Sequence, residues 1–114
     1  MLKRKSDRLL ENRANVRGGN GTMEFLHLFS KEEMLGKADI CVTLTIHPGD
    51  SIGEHAHGPE AEIYYLLKGQ LEVSDNGKIL TMNEGDALFT GNGDTHCFVN
   101  KSNENAELFA IIVR

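Results

Sequence analysis

No run of about 18 apolar residues occurs in the 114-residue chain, so no helical membrane span is expected. The start, MLKRKSDRLLENR, carries basic residues with no apolar stretch behind them and does not read as a secretory signal, which makes the cytoplasm the expected compartment. Cysteine is scarce. Cys41 and Cys97 alone cannot build a disulfide framework, and both are read as reduced, largely buried thiols. Arginine is missing between Arg17 and Arg114, so the only cationic side chains of the body before its last residue are Lys31, Lys37, Lys68, Lys78 and Lys101. No long helical period and no internal repeat is visible, which argues against a helical bundle and against a duplicated two-domain chain.

What is present reads as one soluble globular domain: 39% hydrophobic and 25% charged residues, over a length that supports one modest core. Charge is divided unevenly. Residues 1–17 hold six basic and two acidic side chains, a balance of +4, and the remainder carries −9, giving −5 for the chain. An acidic body argues against binding a phosphate backbone, so nucleic acid is not an expected partner. Residues 1–20 lack a clean period and end in Gly18-Gly19-Asn20-Gly21; they are read as an N-terminal arm, with Leu9 and Leu10 as a helical turn or docking point, ahead of a domain over residues 21–114.

The rest of the chain is a series of short strands. Thr22 to Phe29 alternates, and Ile40 to Ile46 alternates strongly, with Ile40, Val42, Leu44 and Ile46 on one face. His47-Pro48-Gly49-Asp50 reads as a turn, which makes His47 a turn residue; His27 reads as a packed or rim histidine. Glu62 to Lys68 is apolar on both faces and is expected to be covered on both sides, by a second sheet or a second subunit. Gln70 to Ser74 and Lys78 to Met82 flank Asp75-Asn76-Gly77, a strong hairpin signal. Ala87 to Thr90, His96 to Asn100 and Glu107 to Val113 complete the set. Strands at 8–12-residue spacing predict an all-β sandwich or barrel.

The stretch GDSIGEHAHGPEAEIYYLLKG, Gly49 to Gly69, carries the chemistry. His55 and His57 leave the same face of a strand, where two imidazoles can close on one ion. Glu62 follows a short loop, and His96 comes late, within GDTHCFVN. Three imidazoles and a carboxylate form a mixed N/O set suited to one divalent transition metal: Mn, Fe, Co, Ni or Zn, with Mn or Fe favoured. Ser51 and Gly53 share the histidine face and are small, so the space beside the metal is expected to be open. Glu60 competes with Glu62 as a ligand but is read as loop surface; Glu54 and Glu60 are candidates for a proton shuttle at the rim. Cys97 should point away from the metal, being adjacent to His96 in a strand.

These spacings resemble the two motifs of the cupin superfamily. Gly49, His55, His57, Glu62 and Gly69 match G-x5-H-x-H-x3,4-E-x6-G, and Gly85, Gly93, His96 and Asn100 match G-x5-P-x-G-x2-H-x3-N, with Gly91 where proline is usual. The resemblance covers about 100 residues, a single-domain length. It implies a double-stranded β-helix, that is, a jelly-roll barrel, with His55, His57, Glu62 and His96 converging inside and two positions on an octahedral ion left for a ligand. It implies two functional classes: a metal-dependent oxygenase, decarboxylase or isomerase acting on a small oxygen-rich molecule (an oxalate-like carboxylate, enediol or diketone), or a non-catalytic module that binds a small acid or sugar or senses metal. A purely structural metal is a third reading, which the open positions oppose. Tyr64 and Phe98 share faces with ligands and are expected to line the pocket; Asn100 is expected to hold backbone. Cupins that handle oxalate look for a cation beside the metal, and Arg17, next to Gly18-Gly19, is the one arginine near enough to reach the mouth. Small cupins commonly pair, so a homodimer is expected.

Overall fold

The computed structural model describes residues 1–114. Ten strands form two antiparallel sheets: β1 (Leu10–Ala14), β2 (Thr22–His27), β3 (Ala38–Ile46), β4 (Ser51–Ala56), β5 (Ala61–Lys68), β6 (Gln70–Asp75), β7 (Lys78–Asn83), β8 (Ala87–Thr90), β9 (Thr95–Val99) and β10 (Ala106–Val113). The six-stranded sheet runs β1-β2-β3-β10-β5-β8 and the four-stranded sheet β4-β9-β6-β7. Two sheets face to face, with chain-distant strands side by side, make the jelly roll that the cupin resemblance implies, within the sandwich or barrel that the alternating pattern predicts. No helix is long and apolar enough to cross a membrane.

The core lies between the sheets. Val42, Leu44 and Ile46 of β3, Leu108 and Ala110 of β10, and Tyr64 and Leu66 of β5 point inward from one side; Leu71, Val73, Met82 and Phe98 meet them from the other. The register fixes this, because Leu108 pairs with both Leu44 and Leu66, so one slip would turn every inward residue to water. Each buried Leu or Ile contributes roughly 1.5–3 kcal/mol. The Asp75-Asn76-Gly77 hairpin closes as expected, with Asn76 at φ 50° and Gly77 at φ 88°, the left-handed pair that a two-residue hairpin requires.

One expectation changes. Leu9 and Leu10 form neither a helical turn nor a packed dock; Leu10 opens β1, an edge strand paired with β2 from Leu10↔Leu26 to Ala14↔Thr22, and both leucines stay exposed. Helical turns lie on either side instead, at Lys5–Asp7 and Val16–Gly18. The arm is held by pairing and by charge: Lys3 meets Glu33 at 2.7 Å, and Arg8 donates to the carbonyls of Leu26 and His27. Within the single chain, the second sheet covers the inner face of β5. Glu62, Tyr64 and Leu66 are buried, whereas Tyr65 and Leu67 are exposed, because the second sheet reaches only the inner face.

Candidate metal centre

The strand pattern brings four distant residues to one point. His55 lies on β4, directly opposite His96 on β9 in the antiparallel ladder. His57 sits one residue beyond β4, fixed by its N–H donating to the Asp94 carbonyl and its carbonyl accepting from the Gly93 N–H. His55 and His96 come from the four-stranded sheet, and His57 from the loop that continues β4. Glu62, near the start of β5, reaches in from the other sheet. His57, Glu62 and His96 are buried and His55 is partly buried, and their ligand atoms lie within 4.8 Å of one another.

The spacings are those of ligands around one centre. His55 Nε2 to His96 Nε2 is 2.9 Å, His57 Nε2 to His96 Nε2 is 3.2 Å, and Glu62 Oε1 stands 3.0 Å from both His57 Nε2 and His96 Nε2. Atoms about 2.1 Å from a common ion at right angles to each other are about 3.0 Å apart.

Proton positions point the same way. His55 Nδ1 lies 2.8 Å from the Gly53 carbonyl, which can only accept, so Nδ1 carries the hydrogen and Nε2 presents a lone pair inward. His57 Nδ1 lies 3.4 Å from the Glu60 carboxylate, which orients that ring in the same sense. His96 Nδ1 lies 2.9 Å from the Thr90 hydroxyl. The inward lone pairs of His55 and His57 converge with an inward carboxylate; this donor set fits a divalent ion, with each imidazole steered from behind. Burial pushes the His55 imidazole below its ordinary value, which keeps its lone pair available.

Tyr64 closes one side. Its ring stacks on His96 at 4.7 Å and 10°, its hydroxyl is 3.3 Å from His96 Nε2, and Phe98 packs edge-on against it at 5.6 Å. Burial, then the neighbouring Glu62 carboxylate, raises the Tyr64 phenol well above its usual range, so it stays protonated.

Other predicted residues fall where their patterns place them. His27 pairs with Glu11 at 2.8 Å and His47 with Asp50 at 3.1 Å, both away from the cluster. Cys97 faces an outer groove with Glu54, Glu72 and Ile79. Asn100 is fully buried, donates to the carbonyls of Ile46 and Glu104, and accepts from Ser102. Two expectations are corrected or extended, and one residue is added. Glu60 is more than loop surface, because it backs His57. Thr90 escapes sequence reading altogether; its only signal is a register position opposite Glu62 that appears once β5 and β8 pair. Gly53 does not leave open space: the register shifts between Ile52 and His55, and a side chain on Gly53 would overlap the Arg17 carbonyl.

The family model described as "Cupin domain" matches residues 42–112. The chain belongs to the cupin family. Among similar cupins, the oxalate-binding protein of Thermotoga maritima is 41% identical over 113 residues, covering 99% of this chain and 93% of that protein. The crystal structure of a predicted oxalate decarboxylase from Thermotoga maritima superposes with a TM-score of 0.94 at 41% identity, over 99% of this chain and 98% of that one. A cupin-superfamily sugar phosphate isomerase from Silicibacter pomeroyi aligns with a TM-score of 0.72 at 20% identity, over 92% and 71% of the two chains, and shares the fold alone. What this cupin has in hand is therefore the fold and a cluster of three histidines and one glutamate suited to a metal ion.

Proposed function

We propose that this cupin holds one divalent transition ion, Mn or Fe before Co, Ni or Zn, on His55, His57, Glu62 and His96, and binds a small oxalate-like carboxylate beside it. The observation that carries the reading is the convergence of three imidazole nitrogens and a carboxylate at one point, with the outward ring nitrogens already engaged. When bound, the ion supplies Lewis acidity and a template for a chelating anion. Tyr64, with its proton retained, offers a donor at the pocket wall, and Phe98 keeps that ring in place. Arg17 is exposed, with no ion pair or side-chain hydrogen bond in the structure, and its carbonyl lies against Gly53, two residues from His55. It is assigned to the mouth of the pocket, where its planar fork suits a carboxylate. The similarity to an oxalate-binding protein over nearly the whole chain supports the same ligand class.

A metalloenzyme is the second reading, favoured by the similarity to a predicted oxalate decarboxylase. It needs a free acid–base group. Glu60 is engaged with His57 and Glu54 with the Thr95 hydroxyl, so binding without turnover fits the geometry better. Cytoplasmic residence and a homodimer belong to this proposal. Calorimetry of oxalate against the Mn-loaded protein, with parallel assays for carbon dioxide, formate and oxygen uptake, tests both readings. Saturable binding without product supports the binder, product supports the enzyme, and neither removes the oxalate-like ligand in favour of an enediol or diketone.

A further inference from the structure

The segment Asn15–Gly19 is a tight bracket laid across β4. Asn15 at φ 51°, Arg17 at φ 53° and Gly18 at φ 82° are left-handed, a conformation that costs an ordinary L-residue and persists where surroundings impose it. The bracket ties itself off: Gly18 N–H donates to the Asn15 carbonyl, Gly19 N–H to the Val16 carbonyl, and the Asn15 amide to the Gly19 carbonyl. Ser51 locks it to β4, its N–H donating to the Asn20 carbonyl at 3.0 Å while its hydroxyl accepts from Asn20 N–H at 2.9 Å.

Backbone lies on backbone here. A side chain on Gly53 would overlap the Arg17 carbonyl oxygen, and one on Gly19 would overlap the Ser51 carbonyl. The Arg17 main chain can therefore seat only because positions 19 and 53 are bare. Gly53 is also two residues before His55, whose Nδ1 it holds through its own carbonyl. One glycine thus touches the arm on one side and a metal ligand on the other.

We infer that Gly53 and Gly19 form a mutual notch that positions Arg17 over the pocket, so that the affinity of the site for a carboxylate is set by a main-chain contact between arm and barrel. Gly53 and Gly19 act as positioning residues. The inference rests on the assignment of Arg17 to a bound carboxylate. It adds that a residue with no side chain governs ligand affinity, and that the left-handed strain at Arg17 is maintained for this purpose.

The strain supplies a readout that a merely structural role would not give. Arg17→Gly removes the guanidinium and relieves the backbone at once. A residue kept for packing would lower the melting midpoint when lost; one held in strain for a ligand should leave it equal or higher while oxalate binding weakens. Loss of a charged hydrogen-bond pair predicts roughly 10- to 100-fold weaker binding.

The test is calorimetry of oxalate against Mn-loaded full-length protein, with metal content and melting midpoint measured alongside. Arg17→Gly and Gly53→Ala are each expected to weaken oxalate, with metal near one per chain in Arg17→Gly. The double variant is expected to lose no more than the worse single one, because both act through the same guanidinium. Independent, additive losses overturn the notch, as does wild-type oxalate affinity in Gly53→Ala. Should Gly53→Ala fail to fold, Gly19→Ala replaces it, because its side chain meets Ser51 and not the residue that holds His55. Equal oxalate affinity in wild type and Arg17→Gly overturns this inference and leaves the oxalate reading standing. No oxalate binding by the Mn-loaded wild type overturns both.

Discussion

His96 Nε2 stands 2.9 Å from His55 Nε2 because the two residues face each other across the β4–β9 ladder. The pair is the hinge of the site: His57 and Glu62 approach the same point from a loop and from the opposite sheet. Purified protein should therefore carry close to one divalent transition ion per chain. His55→Ala with His57→Ala should abolish it, and Cys97→Ser should leave it intact. Stoichiometric metal in the double variant, by elemental analysis, would refute the site.

Behind the ligands stand Glu60 and Thr90. If each orients an imidazole, Glu60→Gln and Thr90→Val should weaken metal affinity by about 10- to 100-fold without altering the ligands themselves. Competition against a chromophoric chelator reads this directly. Unchanged affinity in both variants would mean that packing alone orients the rings.

The phenol of Tyr64 gives a pH prediction. Its folded value is raised, chiefly by burial and then by Glu62, so the folded chain keeps a proton that the unfolded chain releases above pH ~10. The contribution is complete below that pH and is lost as pH rises toward the folded value. In chelator-treated protein, Tyr64→Phe should flatten the alkaline fall in stability relative to wild type. Parallel curves above pH ~10 would show that other groups carry the fall.

Much of this was legible in the chain. Strands β2 to β10 follow from period-2 alternation and from Gly/Asn/Asp/Pro turns, and the cluster of His55, His57, Glu62 and His96 from spacing matched to the cupin motifs. The failures have physical causes. Strand β1 has no buried face to impose a period, since its pairing uses backbone and its leucines stay in water. Thr90 acquires its role from a ladder partner in another part of the sequence. Gly53 reads as a small residue that makes room, whereas the room is taken by the backbone of Arg17, far earlier in the chain, which no alternation pattern encodes. The apolar outer face of β5 was legible, and the chain itself leaves it exposed at Tyr65 and Leu67.

Asn100 tests how the barrel closes. Fully buried, it ties the end of β3 to the loop before β10 through Ile46, Ser102 and Glu104. Asn100→Ala leaves buried carbonyls without donors, at about 1–3 kcal/mol for each group left unsatisfied. Chemical denaturation should show a loss in that range or above it, with metal stoichiometry preserved in the folded fraction. A loss within about ±0.5 kcal/mol, the range of ordinary surface changes, would contradict the role.

The outer face of the six-stranded sheet leads to the prediction about assembly. Tyr65, Leu67 and Phe89 are 42%, 45% and 65% exposed, and the ladder sets Ile63 beside Phe89 and Phe109 beside Tyr65. The apolar residues thus form one continuous patch. A patch of this kind marks an interaction surface more often than a solvated one. A second copy meeting it face to face would cover both sides of β5, as its two apolar faces require, and like faces satisfy a two-fold axis without any new partner. Light scattering should give twice the 12.6 kDa chain mass. Phe89→Glu places a charge within the patch, on the edge strand β8, at a side chain 65% exposed in the single chain, so it should yield a folded, metal-loaded monomer. A mass of 12.6 kDa for the wild type at every concentration would remove the dimer. A dimer that survives Phe89→Glu would move the interface to another face, such as the open edge of β1.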